Sequence, residues 1–410
     1  MAKLAVNGGP KVRENKRFPS WPVHNEREKK AVNDVLDSGN WWFGEKVAEF
    51  ERKYADYHDA KFGITVTSGT VALRMSLLAC GIGAGDEVIV PPYTFMATAS
   101  AVLESNAIPV FADVELDTFN IDPKAIEAAI TPRTRAIIPV HFAGLPSDMD
   151  AINAIADKHN LTVIEDAAHA WGTEWDGVKV GALRDMGCFS FQMSKNMTAG
   201  EGGVIITNKE DLADQARSFS NCGRRKGGEW YAHYLMGGNY RMTEIQAAIL
   251  LCQLERLDEH VTIRERNGQF LDAALGDIPG IRVLRRDERV NRRSWHLYCA
   301  RYDESELGVP RQTFLDAVRA EGIPFGPGYP IPLYKHPLFT NQGEGPRFCP
   351  VSCPYYEKPV DYTKITCPST EEVCHTALWL TQSILLGTEE DMQDIVDGVR
   401  KVVANIDELK

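Results

Sequence analysis

The sequence predicts an α/β fold in which a mostly parallel, doubly wound sheet forms a large domain and a smaller α/β domain follows. Three observations lead to this prediction. Short apolar, β-rich runs alternate with helical segments of ten or more residues through the first half of the chain. A long amphipathic pattern then leads to one more strand pattern and two more helical patterns. The length of 410 residues suits two or three domains.

The alternation follows a predicted N-terminal arm, residues 1–25, and begins with an amphipathic segment at 26–36. The run FGITV, at 62–66, is the first β-rich apolar run and is predicted to be a strand. The patterns after it predict a helix at 71–80, a strand at 88–90, a helix ending near 103, strands at 108–114 and 136–142, a helix at 149–160, and strands at 162–166 and 204–208.

The second half of the chain is predicted to leave the large domain, residues 26–269, along one long helix. Thr243 and Gln246 have the spacing of a capping box at its start. Residues 270–410 are predicted to form the small domain. Its predicted parts are a polar, unstructured segment at 285–293, a strand at 294–303, a helix at 310–323 and a closing helix from Glu389 with Met392, Ile395, Val399, Val402 and Ile406 on one face.

Charge and cysteine content exclude several classes of protein. The net charge of −12 gives no electrostatic basis for binding nucleic acid or an anionic membrane. The sequence has neither a signal-peptide pattern nor an apolar run of membrane-spanning length, which predicts a cytoplasmic protein. None of the nine cysteines forms a CxxC pair, and Cys349 with Cys353, like Cys367 with Cys374, has the wrong spacing for a zinc ribbon. Reduced thiols and no metal site are expected.

Three segments combine residue types that carry chemistry. TSGT, at 67–70, follows a strand and opens a helix, so its N–H groups suit a phosphate, although ordinary helices start the same way. Asp166 ends a strand, where a carboxylate is either a helix N-cap or a functional anion. Lys195 precedes Gly-Glu-Gly-Gly at 200–203, whose glycines allow close approach of the backbone to a site. GIGAG, at 81–85, follows a helix and is therefore not a dinucleotide fingerprint.

Together with the aromatic ring of PPYTF, at 91–95, these features are the parts that pyridoxal phosphate requires. A lysine forms the Schiff base, and a carboxylate keeps the pyridine nitrogen protonated. The phosphate needs amides and hydroxyls, and the ring needs a flat partner. The alternative is that Lys195 is an ordinary surface lysine, which the combination of features argues against.

The chain resembles the DegT/StrS type of sugar aminotransferase, a family of fold-type I pyridoxal phosphate enzymes. The resemblance spans nearly the whole chain. Its most specific part is an SxxxxK-to-GEGG block with EDxAxA upstream. The segments that carry it include GDEVIVPPYTFMATASAV, VIEDAAHAWGTEWDGVKVG, SFQMSKNMTAGEGG, GGNYRMTEIQAAIL and YPIPLYKHPLF. The resemblance implies a large domain that binds the cofactor and a smaller C-terminal domain.

The resemblance also implies roles for the residues that match the family motifs. Lys195 becomes the Schiff-base lysine and proton shuttle, and Asp166 the partner of the pyridinium nitrogen. His169 takes a place often held by glutamine, near the phenolic oxygen of the cofactor.

The remaining implied cofactor contacts concern the phosphate and the face of the ring. Gly69, Thr70 and Ser190 would bind the phosphate, and Phe95 would stack on the ring. Asn239 matches an asparagine that reaches the phosphate of the neighbouring subunit's cofactor. A homodimer with shared active sites is therefore expected.

The implied reaction is a ping-pong transfer of an amino group through the pyridoxamine phosphate form of the cofactor. Glutamine or glutamate is the expected donor. The SFQ sequence resembles the branch of scyllo-inosose aminotransferases and aminohydroxybenzoate synthases, which serves antibiotic pathways, and Gly328 stands where members that act on nucleotide-linked keto-sugars often have a histidine. The aminohydroxybenzoate synthases depart at PGYPIPLY, 327–334. Amination of a ketocyclitol or keto-sugar is favoured, and the candidate acceptor contacts are Trp42, Arg224, Arg225, His233 and Tyr329.

Four other functions are considered. Two keep the aminotransferase chemistry: amination of a nucleotide-linked keto-sugar, and a 3-amino-5-hydroxybenzoate synthase that also dehydrates its product. A dehydratase of this fold replaces the lysine with histidine, so the presence of Lys195 argues against it. A regulator without catalysis would not need Lys195, Asp166 and Ser190 together.

Overall fold

The computed structural model describes residues 3–341 and 360–410. The strands within these residues are β1 (Phe62–Val66), β2 (Glu87–Val90), β3 (Ile108–Phe111), β4 (Thr134–Ile137), β5 (Thr162–Asp166), β6 (Glu174–Trp175), β7 (Val178–Lys179), β8 (Met186–Ser190), β9 (Gly203–Thr207), β10 (Ile281–Val283), β11 (Val290–Arg292), β12 (Leu297–Tyr302) and β13 (Ala377–Thr381). The helices are α1 (Glu26–Ser38), α2 (Glu45–Tyr57), α3 (Gly69–Ala79), α4 (Ala97–Glu104), α5 (Pro123–Ala129), α6 (Met149–His159), α7 (Glu210–Ser220), α8 (Glu244–Gly276), α9 (Glu304–Leu307), α10 (Arg311–Ala320), α11 (Pro337–Thr340), α12 (Pro368–Thr376) and α13 (Glu389–Ala404).

The central sheet has seven strands in the order β1-β9-β8-β5-β4-β2-β3. Strand β9 runs antiparallel to both of its neighbours, β1 and β8, and the other pairs are parallel. Helices α3, α4 and α7 contribute to the core on one face, and α2, α5, α6 and α8 to the core on the other. The prediction of a mostly parallel, doubly wound sheet is therefore confirmed.

Side chains of successive strand residues alternate between these two cores. In β2, Val88 and Val90 belong to the first core, whereas Ile89 belongs to the second. In β5, Ile164 belongs to the first core and Val163 to the second. Strands that are buried on both faces have nearly continuous apolar sequences, and this explains why these runs were recognisable as strands.

The strand and helix bounds differ from the predictions in a few places. The strand predicted at 136–142 ends at Ile137, because Pro139 has no N–H with which to continue the ladder. The segment 285–293, predicted to be unstructured, contains β11, which pairs with β6. Several further elements have no counterpart among the predicted ones, namely β6, β7, β8, β10, β13, α2, α5, α7, α9, α11 and α12.

The C-terminal part contains an antiparallel sheet in the order β10-β12-β13. Helix α8 begins with the predicted capping box of Thr243 and Gln246. On α13 the predicted apolar face is buried, except that Ile406 lies beyond the end of the helix. The domain boundary predicted at 269/270 falls within α8, and the division into three parts remains a prediction.

The cysteines within the described residues are free thiols, whereas Cys349 and Cys353 lie outside those residues. Residues 3–341 and 360–410 contain no cluster of three or more histidine, cysteine or acidic side chains able to hold a metal ion. In the same part of the chain, every helix is too short or too polar to cross a bilayer.

Candidate active site

A cavity of about 860 Å³ lies at the carboxyl ends of the central strands. This edge of a doubly wound sheet is where ligands generally bind. The cavity brings together residues that were predicted from separate segments of the sequence. The predicted residues that line it are Gly69, Thr70, Phe95, Asp166, His169, Ser190, Lys195 and Tyr329.

The TSGT turn forms the start of α3, and its backbone packs tightly against two other segments. Ser68 Oγ accepts a hydrogen bond from Val71 N at 3.2 Å and so caps the helix. A Cβ placed on Gly69 would lie 2.8 Å from Ser190 Cβ, and one on Gly203 would lie 2.4 Å from Ser68 O. Backbone N–H groups, the positive end of a helix dipole and nearby hydroxyls make this a site suited to an anion.

Gly203→Ala should destabilise the protein by about 1–3 kcal/mol, because its methyl group would overlap the backbone of the TSGT turn. Gly83→Ala is the matched control: the nearest atom to a Cβ there is 3.8 Å away. Thermal unfolding of both variants and the wild type measures the difference. Equal unfolding temperatures for the two variants would contradict the tight contact between Gly203 and the turn.

Asp166 is a buried carboxylate at the end of β5, held in place by hydrogen bonds. Thr98 Oγ1 donates to Oδ2 at 2.8 Å, and Ala168 N donates to Oδ1 at 3.2 Å. Thr98 is itself hydrogen-bonded to Thr94 at 3.0 Å. Burial raises the pKa of Asp166 above its ordinary value, and these hydrogen bonds and Lys195 oppose that increase. The two hydrogen bonds to Asp166 therefore hold its carboxylate in one orientation inside the cavity.

Lys195 lies on the connection between β8 and β9, on the same cavity wall as Ser190. Burial lowers the pKa of Lys195 to about 8, while the negative charge of Asp166 acts in the opposite direction. The ammonium group makes no hydrogen bond with any residue in the described ranges. A lysine with this pKa is uncharged in a useful fraction of molecules near neutral pH, so it can act as a nucleophile or a base.

His169 has its ring orientation and tautomer fixed by its surroundings. Ala143 N donates to His169 Nδ1 at 3.3 Å, so the ring proton must be on Nε2. The ring lies against that of His296, with 4.2 Å between centroids. Burial, reinforced by repulsion from Lys195, lowers the pKa of both histidines well below the usual range. Both rings are therefore neutral near pH 7.

The cavity also contains residues that the sequence analysis did not identify. Six of them come from the C-terminal part of the chain, from the residue before β12, from β12 and β13, and from the turn after β13. No local motif marks them, and only their proximity in the fold brings them to the site. They are His296, Leu297, Trp379, Thr381, Gln382 and Ser383.

Several predicted residues do not line the cavity of this single chain. Asn239 is exposed and forms an isolated bridge with Asn221. Trp42 is 57% exposed, and the Arg241 guanidinium lies over its ring. The others, Arg224, Arg225 and His233, are in the same irregular segment between α7 and α8. The sequence resemblance assigned Asn239 to the neighbouring subunit's site, and that role remains a prediction.

Comparison with known proteins places the chain in a family. The model of the DegT/DnrJ/EryC1/StrS aminotransferase family matches residues 22–353. The L-glutamine:2-deoxy-scyllo-inosose aminotransferase of Streptomyces fradiae is 39% identical, over 98% of both chains. The 3-amino-5-hydroxybenzoate synthase of Amycolatopsis mediterranei is 34% identical, over 96% of this chain and 99% of that protein.

Solved structures with the same fold agree with this placement. A crystal structure of 3-amino-5-hydroxybenzoic acid synthase has a TM-score of 0.85 and 34% identity, covering 95% of this chain and 99% of that one. The ntda protein of Bacillus subtilis with bound cofactor PMP has a TM-score of 0.81 and 28% identity, covering 96% of this chain and 87% of that one. The chain belongs to the DegT/DnrJ/EryC1/StrS family of pyridoxal phosphate-dependent aminotransferases.

Proposed function

We propose that this chain transfers an amino group from L-glutamine to the ketone of a ketocyclitol of the scyllo-inosose type, with pyridoxal phosphate held in the cavity. The observation that carries the proposal is the meeting of Lys195 and Asp166 in one cavity of an aminotransferase-family chain. These substrates are proposed because relatives that match this chain over nearly their whole length carry the names of these substrates.

The residues of the cavity fit this cofactor chemically. Gly69 packs closely against Ser190 at the start of α3. Backbone N–H groups and hydroxyls lie together there, and such a group of donors suits a phosphate. Asp166 would hold the proton of the pyridine nitrogen, and the Nε2–H of His169 would donate to the phenolic oxygen. Phe95, 60% exposed within an open cavity wall, offers an aromatic face to the ring.

Pyridoxal phosphate, when bound, supplies a ring that withdraws electrons from the substrate carbon. The chain supplies the remaining functions. Lys195 Nζ, once uncharged, removes the proton from the carbon that bears the amino group and delivers it again during transfer. The negative charge of the buried Asp166 carboxylate favours a positive charge on the group that faces it, so the pyridine nitrogen would stay protonated.

A homodimer is proposed as the active form. The segment between α7 and α8 exposes large apolar side chains: Trp230 is 83%, Tyr231 76% and Met236 94% exposed. Exposed apolar surface of this kind is typical of a protein interface. Asn239 lies on the same segment, and in the proposed dimer it reaches the partner's cavity. Sedimentation velocity tests the proposal, because a monomer at micromolar concentration would contradict it.

The main experiment is an absorption spectrum of the protein with pyridoxal phosphate, before and after addition of L-glutamine or L-glutamate. Binding through Lys195 should give a visible band, and L-glutamine should bleach it more readily than L-glutamate. The bleached protein is then mixed with scyllo-inosose or with a nucleotide-linked keto-sugar. Recovery of the band with scyllo-inosose supports the proposal, whereas recovery only with the nucleotide-linked sugar refutes the proposed acceptor.

The attachment of pyridoxal phosphate to the cofactor-free protein should accelerate as the pH rises through about 8. Only the uncharged amine reacts, and a lysine with a pKa of about 8 is about one-tenth uncharged at pH 7. Asp166 acts to raise this pKa, whereas His169 and His296 remain neutral over the range. The rate of band formation is measured against pH, with N-acetyl-lysine as control. A midpoint for the protein equal to that of N-acetyl-lysine would disprove the lowered pKa.

A further inference from the structure

Two side chains on one wall of the cavity, Gln382 and His296, have hydrogen-bonding directions fixed by residues behind them. Both line the cavity, and both are nearly fully buried, at 2% and 6% exposure. Neither belongs to the segments that carry the family resemblance. The partners behind each side chain use some of its polar atoms, and the atoms that remain are the ones that face the cavity.

Gln382 has its amide orientation set by Arg264. The Arg264 guanidinium donates from Nη2 to Gln382 Oε1 and from Nε to the Gln382 carbonyl, the latter at 3.2 Å. Arginine has only donors, so the amide oxygen must face it and the NH₂ group must face away. That NH₂ group has one long contact, 3.5 Å to Ser194 O. Arg264 is fully buried and does not line the cavity. The Gln382 NH₂ group, which faces away from Arg264, therefore presents hydrogen-bond donors to the cavity.

His296 has its tautomer set by Asn196, the residue after Lys195. Asn196 Nδ2 donates to Ser294 O at 2.8 Å, so Asn196 Oδ1 is the atom that faces His296 Nδ1, at 3.0 Å. An amide oxygen only accepts, so Nδ1 carries the proton and Nε2 has a lone pair. Nε2 makes no hydrogen bond with any described residue. His296 therefore presents an acceptor.

We propose that the Gln382–His296 wall binds an uncharged substrate group that both accepts and donates hydrogen bonds, either the carboxamide of L-glutamine or a hydroxyl of the ketocyclitol. Such a group accepts from the Gln382 NH₂ and donates to His296 Nε2. A carboxylate can only accept, so it would face the lone pair of His296 unfavourably. Arg264 and Asn196 act as positioning residues. The inference rests on the proposed function, because the ligand is one of its two substrates.

Two variants test the wall. Gln382→Glu keeps the volume and can still accept from Arg264, so it is expected to fold, but it replaces the donors by an acceptor. His296→Phe keeps an aromatic ring against His169 and removes the acceptor. Gln393→Glu is the matched control, since Gln393 is on the exposed face of α13 and contacts Asp397. Unfolding temperatures are measured for all three.

The measurement has two arms on the cofactor-bound protein. In the first, bleaching of the visible band is followed against L-glutamine concentration. In the second, protein with the cofactor in its amine form is titrated with scyllo-inosose. The wall predicts that each variant raises a half-saturating concentration by about ten-fold, with a smaller change in the maximal rate, and that Gln393→Glu changes neither.

The pattern of shifts identifies the bound group. A shift for L-glutamine alone assigns the wall to the carboxamide, and a shift for scyllo-inosose alone assigns it to a hydroxyl. Shifts in both arms assign it to both, since the two substrates occupy one cavity in turn. Folded variants that form the band and show shifts below about two-fold in both arms overturn the inference but leave the proposed function intact. A wild-type protein without any band overturns both.

Discussion

Replacement of Lys195 by alanine should reduce the rate of transamination by at least about 1000-fold. The substitution removes the only amine that lines the cavity among the described residues, and with it the group proposed to move the proton. General acid–base catalysis alone accounts for about 10²–10⁴-fold in enzymes. The visible band with pyridoxal phosphate should also disappear. Steady-state amination of scyllo-inosose and the absorption spectrum measure the two effects.

The control for this experiment is Lys53→Ala. Lys53 is half exposed on α2 and forms a surface ion pair with Glu49. Such a pair contributes little to stability, so this variant should retain both the band and the rate. If Lys195→Ala retained the band and wild-type turnover, another amine would have to hold the cofactor and the assignment would be wrong.

Asp166→Asn should reduce turnover by about 100-fold to 1000-fold, which is the usual effect of removing one oriented electrostatic group from an active site. The asparagine has nearly the same shape, and its amide can still contact Thr98 and Ala168. It has no negative charge with which to keep the pyridine nitrogen protonated. Single-turnover rates with saturating L-glutamine separate this effect from weaker binding.

The stability of the cofactor-free Asp166→Asn protein distinguishes a catalytic role from a structural one. Because burial raises the pKa of Asp166, the folded protein carries at neutral pH a charge that would be better solvated in the unfolded chain. The asparagine removes that cost, so the unfolding temperature should equal or exceed that of the wild type. A large decrease in unfolding temperature would instead indicate that Asp166 mainly supports the fold.

The sequence predicted those elements whose burial produces a distinctive pattern. Strands β1 and β5 have the predicted bounds, because both of their faces are buried and their apolar runs end at polar residues. Strand β8, with the sequence MGCFS, has no such pattern, and its extended conformation depends on pairing with β5 and β9. Helix α2 was not predicted, although Val47, Phe50 and Tyr54 have helical spacing and are all buried.

The site was predictable where its residues belong to short motifs. Lys195 and Asp166 stand beside glycine-rich and strand-end patterns, and both line the cavity. Gln382 and His296 come from the C-terminal part of the chain, with polar groups oriented by Arg264 and Asn196. Contacts between residues so distant in sequence leave no local signal. Only the folded chain identifies them.

The pairing of β8 with β9 separates the requirements of folding from those of catalysis. Ser190 pairs with Gly203, so the connection that bears Lys195 has both of its ends fixed to the sheet. The entropy of closing such a loop grows slowly with length, and doubling it costs only about 0.6 kcal/mol. Loop closure alone would therefore tolerate a longer connection, provided that the buried Asn196 and Met197 kept their places. A longer loop would also change the reach from Ser190 to Lys195, so under the proposed function the size of the cofactor would limit the length of the loop.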